Sequence, residues 1–165
     1  LYSNRFYGFD YKNPLNYNSW GNNFKMSEFV ALAAICDLGR VKKRISKRKL
    51  LAKAYQKYLK NSGWLALEPK KYENTAYYKQ IVISPIPRSL VKTELEKHGI
   101  ALTGGVYYRP LHRQEILGSY DNSKFPNANF FSDNHICPPC YPELEISDIK
   151  YITDTMKKIY KKYLK

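Results

Sequence analysis

Gly21-Asn22-Asn23-Phe24-Lys25-Met26-Ser27-Glu28 sets a Gly/Asn turn directly against a helix start, and a long amphipathic run follows it. Backbone N–H groups and short amide side chains gathered at a helix N-terminus suit an anion such as a phosphate. The plainer role of such a turn is to cap the helix. Ser27 stands as the N-cap, and Glu28 suits the positive end of the helix dipole. Val30, Ala34, Leu38, Val41, Ile45, Ala52, Tyr55 and Leu59 then recur close to the helical period, which predicts a helix over 27–60. Asn61-Ser62-Gly63 stops it, and Gly39 inside it marks a bend. A helix of this length cannot rest wholly on one small core, so it is expected to connect two bodies.

Working outward, residues 1–26 are rich in Asn, Tyr, Gly and Phe without helical period and read as an irregular arm. Downstream, residues 61–165 alternate between short elements and read as a small α+β domain. Strands are predicted at 64–67, 76–84, 101–108 and 134–137. Helices are predicted at 90–98 and 126–133, with a short helical turn over 112–117. Gly99 reads as a left-handed helix stop after which Ile100 folds back on Leu95 in a Schellman-type contact. Ser147 reads as the cap of the last helix, with Ile146 and Tyr151 as its hydrophobic staple. Ile149, Ile152, Met156, Ile159, Tyr160 and Tyr163 form that helix's apolar face. Helices packed on a short, mostly antiparallel sheet satisfy this pattern.

A chain of 165 residues fits one domain, or one domain with an arm. Its 28 Lys and Arg against 14 Asp and Glu leave a net charge of +14, which attracts nucleic acid, acidic lipid or phosphorylated small molecules. Three cysteines make no disulfide framework, and no apolar run is long enough to cross a membrane. With no signal peptide visible, the expected location is the cytoplasm. The chain opens on Leu1 rather than Met, so a preceding segment is expected.

The motifs divide between chemistry and packing. Cys137-Pro138-Pro139-Cys140 has no second CxxC to complete a zinc set, and no helix follows directly to activate a thiol. These cysteines read as small buried apolar residues, and no metal is expected. The basic run from Arg40 to Lys57, with Tyr55 and Tyr58 nearby, matches no nucleic-acid-binding signature and reads first as a solvated helix face. His112 follows Tyr107, Tyr108 and Arg109 in a turn. A lone histidine is more often structural, but a guanidinium beside it favours an anion or phosphosugar site. No catalytic triad, paired carboxylates, P-loop or GxGxxG is present.

Together these stretches resemble the DegT-type nucleotide-sugar aminotransferases, pyridoxal-phosphate enzymes of fold type I, and the chain is similar to their C-terminal portion. Asn4-Arg5-Phe6-Tyr7-Gly8-Phe9-Asp10 looks like the family's Arg-x-x-Gly stretch, and Gly21 to Glu28 like its Gly-x-Asn-x-Arg-Met-Ser-Glu segment. Arg48, Ala52 and Tyr55 match its helix pattern. His98-Gly99-Ile100 followed by Gly105 to Gln114 resembles its Gly-Ile, then His-Tyr-x-Pro-Leu-His segment. Cys137 to Leu144 resembles its Leu-Pro-x-Tyr-Pro-Gly-Leu stretch. Tyr107 stands where members often carry His, Lys25 replaces Arg, and Glu143 replaces Gly.

The resemblance implies a fold type I small domain with its long connecting helix, residues 1–26 being a remnant of the cofactor domain. It implies transfer of an amino group from glutamate to a keto nucleotide sugar, in amino-sugar and polysaccharide biosynthesis, by a homodimer with active sites at the subunit interface. Asn23 would reach the cofactor phosphate in the partner's site, while Tyr107, Tyr108, Arg109 and His112 would line the substrate side. In the family the Schiff-base lysine lies upstream of the Arg-x-x-Gly stretch, so the isolated chain is expected to be inactive. A dehydratase variant of the family differs chiefly at that lysine position. The competing class is a non-enzymatic basic binding module, either for nucleic acid or as a regulatory half-aminotransferase.

Overall fold

The computed structural model describes residues 2–164 apart from residues 6, 9, 11, 14, 15, 71, 72, 107, 119 and 120. The chain resolves into two compact units, Leu1–Lys42 and Lys43–Lys165, and the boundary falls inside the long helix.

In the first unit, a single helical turn, α1 (Tyr2–Arg5), opens the arm. Backbone hydrogen bonds pin the irregular segment. Gly8 N donates to Ser3 O at 2.7 Å, Asn18 N to Gly8 O at 3.0 Å and Asp10 N to Asn16 O at 2.8 Å. Helix α2 (Glu28–Leu59) begins where the sequence places it. Ser27 Oγ accepts from Val30 N at 3.4 Å, and Ser27 O accepts from Ala31 N at 2.9 Å, so Ser27 is the N-cap. The helix continues through Gly39 without a break.

The second unit holds the core. Leu51, Ala54, Tyr55 and Leu59 of α2 pack there with Val91, Leu95, Ile136, Ile149, Ile152 and Met156. Strands β1 (Leu65–Ala66), β2 (Val82–Ile83) and β3 (His135–Ile136) form one antiparallel sheet in the order β1-β2-β3, pairing Ala66 with Val82 and Val82 with Ile136. The architecture is α+β, as expected, with helices packed on a short antiparallel sheet. The buried hydroxyl of Tyr55 donates to Pro139 O at 2.8 Å, which ties α2 to the segment after β3.

Helix α3 (Arg88–Glu96) ends as predicted. Gly99 has φ +71, its N–H donates to Glu96 O at 3.0 Å, and Ile100 N donates to Leu95 O at 3.0 Å. Both bonds of a Schellman motif are therefore made, and Leu95 and Ile100 are both buried. Helix α4 (Pro126–Asn134) follows two 3-10 turns, Leu111–Arg113 and Glu115–Leu117, and a third at Asn122–Lys124. Helix α5 (Ile146–Tyr163) closes the unit. No helix among the described residues is long and apolar enough to cross a membrane.

Three sequence expectations are corrected. The strand over 101–108 is a single bridge from Thr103 to Cys137, because Gly104 and Gly105 offer nothing to pack and the backbone turns away. The strand over 76–84 shrinks to Val82–Ile83, since Tyr77 at φ 47 breaks the extended run. The cap of α5 is Glu145 rather than Ser147. Glu145 and Asp148 form a reciprocal capping box, with Glu145 N donating to Asp148 Oδ2 at 2.8 Å. Two carboxylates at the positive end of the dipole outcompete one hydroxyl a residue further in. The staple positions accordingly shift to Ile149, a member of the core cluster, and Leu144, half-buried against it.

Candidate functional site

Asn23 belongs to the first unit and Tyr108, Arg109 and His112 to the second; Tyr107 lies outside the described residues.

Backbone bonds on both sides hold Asn23. Tyr7 N donates to Asn22 O at 3.3 Å, and Phe24 N donates to Arg5 O at 3.1 Å. The Asn23 side chain is exposed and makes no hydrogen bond to a described residue. An amide donor presented outward from a pinned backbone is what a phosphate contact requires. In the same arm, a cleft of about 940 Å³ is lined by Tyr7, Tyr17, Asn18, Ser19, Trp20 and Gly21.

In the second unit the loop after Thr103 folds over α3 and α4. Thr103 anchors it doubly, its N–H and Oγ1 donating to Cys137 O at 3.0 and 2.9 Å. Lys79 Nζ donates to Gly104 O and, at 3.4 Å, to Gly105 O. A Cβ at Gly105 would run into the Tyr108 ring, so any larger residue there would have to displace that ring. The Tyr108 ring stacks on the Arg88 guanidinium, 3.8 Å from ring centroid to Cζ, and its carbonyl accepts from Ser132 Oγ at 2.9 Å. Burial raises the Tyr108 hydroxyl above its ordinary range, against the opposing charge of Arg88. Tyr108, Arg88, Lys92 and Asp133 share a cleft of about 440 Å³.

Arg109 and His112 go to different partners. Arg109 Nε donates to Arg113 O at 2.7 Å, and its Nη2 lies 3.3 Å from Glu115, an exposed pair worth little by itself. His112 is buried, stacked on Phe125 at 4.5 Å between ring centroids, with Nε2 2.8 Å from Asn129 Oδ1.

Sequence reading missed the residues that hold this loop. His135 is fully buried; its Nδ1–H donates to Phe131 O at 2.7 Å and its Nε2 accepts from Val106 N at 3.1 Å. Both ring nitrogens are thus used by a neutral imidazole, and burial lowers its pKa from the ordinary value. Arg88 donates to Ser132 O at 2.8 Å, and Arg113 grips Asp133 with both terminal nitrogens, at 2.9 and 3.2 Å. Apart from Phe131, four residues before His135, these partners are nonlocal, so spacing carries no signal for them.

Cys137 and Cys140 are buried, as expected, and no disulfide joins them. Burial pushes the Cys140 thiol up to about 11 and raises Cys137 as well, which leaves both protonated and inert. Among the described residues no group of three or more His, Cys, Asp and Glu is placed to hold a metal.

The fold is that of fold type I aminotransferases. The family model of the DegT/DnrJ/EryC1/StrS aminotransferases matches residues 2–157, and the chain belongs to that family. Aminotransferases of this family depend on pyridoxal phosphate. The dTDP-4-amino-4,6-dideoxy-D-glucose transaminase of Escherichia coli is 28% identical over 158 residues, covering 90% of this chain and 42% of that protein. The UDP-4-amino-4,6-dideoxy-N-acetyl-beta-L-altrosamine transaminase of Campylobacter jejuni is 24% identical over 152 residues, 88% of this chain and 40% of that protein. The solved PLP form of a proposed sugar aminotransferase of Streptococcus pneumoniae superposes with a TM-score of 0.79 at 25% identity, over 91% of this chain and 40% of that chain. The chain thus spans about two-fifths of the length of the relatives it matches.

Proposed function

We propose that this chain is the C-terminal portion of a pyridoxal-phosphate aminotransferase that moves an amino group from glutamate to a keto nucleotide sugar. The observation that carries the reading is the family match over residues 2–157, with all the quoted motifs in order. Both curated relatives are named for nucleotide sugars carrying an amino group at carbon 4 of a 6-deoxy ring. The matching acceptor is a 4-keto-6-deoxy nucleotide sugar, because transamination replaces a carbonyl oxygen by an amine.

When bound, pyridoxal phosphate supplies the electron sink for the transfer. The residues present fit one contact to it: the outward carboxamide of Asn23, on a backbone pinned at Asn22 and Phe24, would donate to the phosphate. Tyr107, Tyr108, Arg109 and His112 would line the substrate side. Arg109 offers the diphosphate a planar fork, and its pair with exposed Glu115 is weak enough to exchange for it. His112 is fixed at that turn by its stack on Phe125 and its contact with Asn129. In this reading residues 1–26 are a remnant of the cofactor domain, 27–60 the connecting helix and 61–165 the small domain. The complete enzyme works as a homodimer in the cytoplasm, and this chain alone is inactive.

The test joins the chain to a lysine-bearing cofactor domain of a relative, as one polypeptide or by co-expression. The expected result is glutamate-dependent formation of an amino sugar nucleotide from dTDP-4-keto-6-deoxyglucose or its UDP counterpart, seen by mass spectrometry. Asn23→Ala should then weaken cofactor binding by ~1–3 kcal/mol, the scale of a lost charge-assisted hydrogen bond. No amine product from any keto nucleotide sugar would reject the reading. Tight binding of generic RNA or DNA, falling steeply with salt, would favour a basic binding module instead.

A further inference from the structure

A second cavity, of about 280 Å³, lies in the second unit between the middle of α2 and the segment that follows β3. Arg48, Tyr78, Lys79, Thr103 and Tyr141 line it, and none of its described lining residues is acidic. The Arg48 guanidinium makes no hydrogen bond or ion pair with a described residue, and its Nε is buried without an acceptor. A buried charged donor without an acceptor is rare in folded proteins, because the lost hydration is not returned. Lys79 spends two of its three donors on the Gly104 and Gly105 carbonyls, which leaves one N–H. Among the described residues no carboxylate pairs with Arg48 or Lys79.

We infer that this cavity binds a small carboxylic acid of the size of glutamate or 2-oxoglutarate, with the Arg48 fork and Lys79 Nζ on its carboxylate. The volume falls at the low end of ligand-enclosing sites, which run to roughly 300–1,000 Å³, and suits a small ligand. A phosphate is the lesser fit. Phosphate sites gather backbone N–H groups at a helix N-terminus or in a nest, whereas Arg48 sits within α2 and Pro138, also in the wall, has no N–H. The Cys140 and Pro138 side chains give the cavity an apolar wall suited to a short carbon chain. Cys140 stays protonated there, burial outweighing the nearby Arg48 charge.

The carboxylate assignment stands on this geometry alone. Naming the ligand as the amino donor or its keto product rests on the function proposed above, and the experiment separates the two. Glutamate, 2-oxoglutarate, glutarate and inorganic phosphate are titrated into the 165-residue chain by calorimetry, and amide shifts are followed by NMR. The expected result is saturable binding of the dicarboxylates in preference to phosphate, with shifts at Lys79, Thr103 and Tyr141. Arg48→Gln should weaken it at least tenfold and Lys79→Gln severalfold, while Lys161→Gln on α5 leaves it unchanged. Should Arg48→Gln fail to fold, Arg48→Lys keeps the charge and stem but loses the fork, and a severalfold loss is expected. Tighter phosphate binding, no saturable binding, or folded Arg48 variants with unchanged affinity would each overturn the inference. In the joined enzyme, Arg48→Gln should raise KM for glutamate with little change for the sugar. Dicarboxylate binding without any amino transfer would leave the pocket standing and reject the transferase. Transfer with unchanged glutamate KM in Arg48→Gln would do the reverse.

Discussion

The two halves of α2 share one apolar rhythm and meet opposite fates. In its second half Leu51, Tyr55 and Leu59 are buried at the centre of the second unit. In its first half Val30, Leu38 and Val41 of that stripe are 56%, 68% and 41% exposed, and Phe29, Leu32 and Ile35 beside them are exposed as well. Periodicity specifies that a stripe is to be covered, not what covers it. Among the described residues of the first unit none covers the first half, and large apolar side chains left together in water are what an interaction surface looks like. In the proposed enzyme that surface belongs to the rest of the protein.

The comparison breaks most visibly through truncation. Leu51→Ala should destabilise the chain by ~2–5 kcal/mol in urea unfolding, because it opens a cavity in a core that relaxes only partly. Ile35→Ala, a similar deletion on the exposed half, should stay within about 0.5 kcal/mol. Equal losses at both positions would mean that the first half is covered within this chain. Next in size is Tyr55→Phe, which strands the Pro139 carbonyl and should cost about 1–2 kcal/mol.

A smaller effect sharpens the account of the second unit by pH. Glu94 of α3 lies between Lys97 at 2.7 Å and Lys162 of α5 at 2.9 Å, with the Tyr163 hydroxyl 3.1 Å away. The hydrogen bond from Lys97, then that from Lys162, lowers its pKa to about 2. A depressed carboxylate stabilises the folded state above its unfolded pKa, and that stabilisation is lost as pH falls toward the folded value. Stability should therefore decline between about pH 4.5 and pH 2, and Glu94→Gln should flatten that limb. An unchanged acid limb in Glu94→Gln would assign the decline to other carboxylates.

What the sequence discloses is what is decided within one turn of chain. Ser27 caps α2, and Gly99 with Ile100 closes α3, because donors and acceptors lie within five residues of each other. The Glu145 cap was legible in principle, since Glu145 and Asp148 stand at capping-box spacing, but Ser147 offered the more familiar side chain. Only a bridge forms at Thr103, although the stretch up to Tyr108 looks β-prone, because the backbone at Gly104, Gly105 and Val106 bonds to Lys79 and His135, far off in sequence. The candidate site divides the same way. Asn23, Tyr108, Arg109 and His112 stand out through a motif, whereas Arg88 under Tyr108 and the unpartnered Arg48 emerge only from packing.

The central claim is that the chain carries part of an aminotransferase but not its reactive centre, and pyridoxal phosphate itself tests it most directly. A cofactor-binding lysine needs a depressed pKa in a desolvated site. No described lysine is buried, and Lys150 and Lys162 are held above the ordinary range by hydrogen bonds to Asp154 and Glu94. The chain is incubated with pyridoxal phosphate, reduced with borohydride, digested and mapped by mass spectrometry, alongside an assay for transfer from glutamate. The account predicts sparse, substoichiometric labelling scattered over exposed lysines and no transfer. One stoichiometric adduct at a single lysine, accompanied by transfer, would contradict it and locate a reactive centre within these residues.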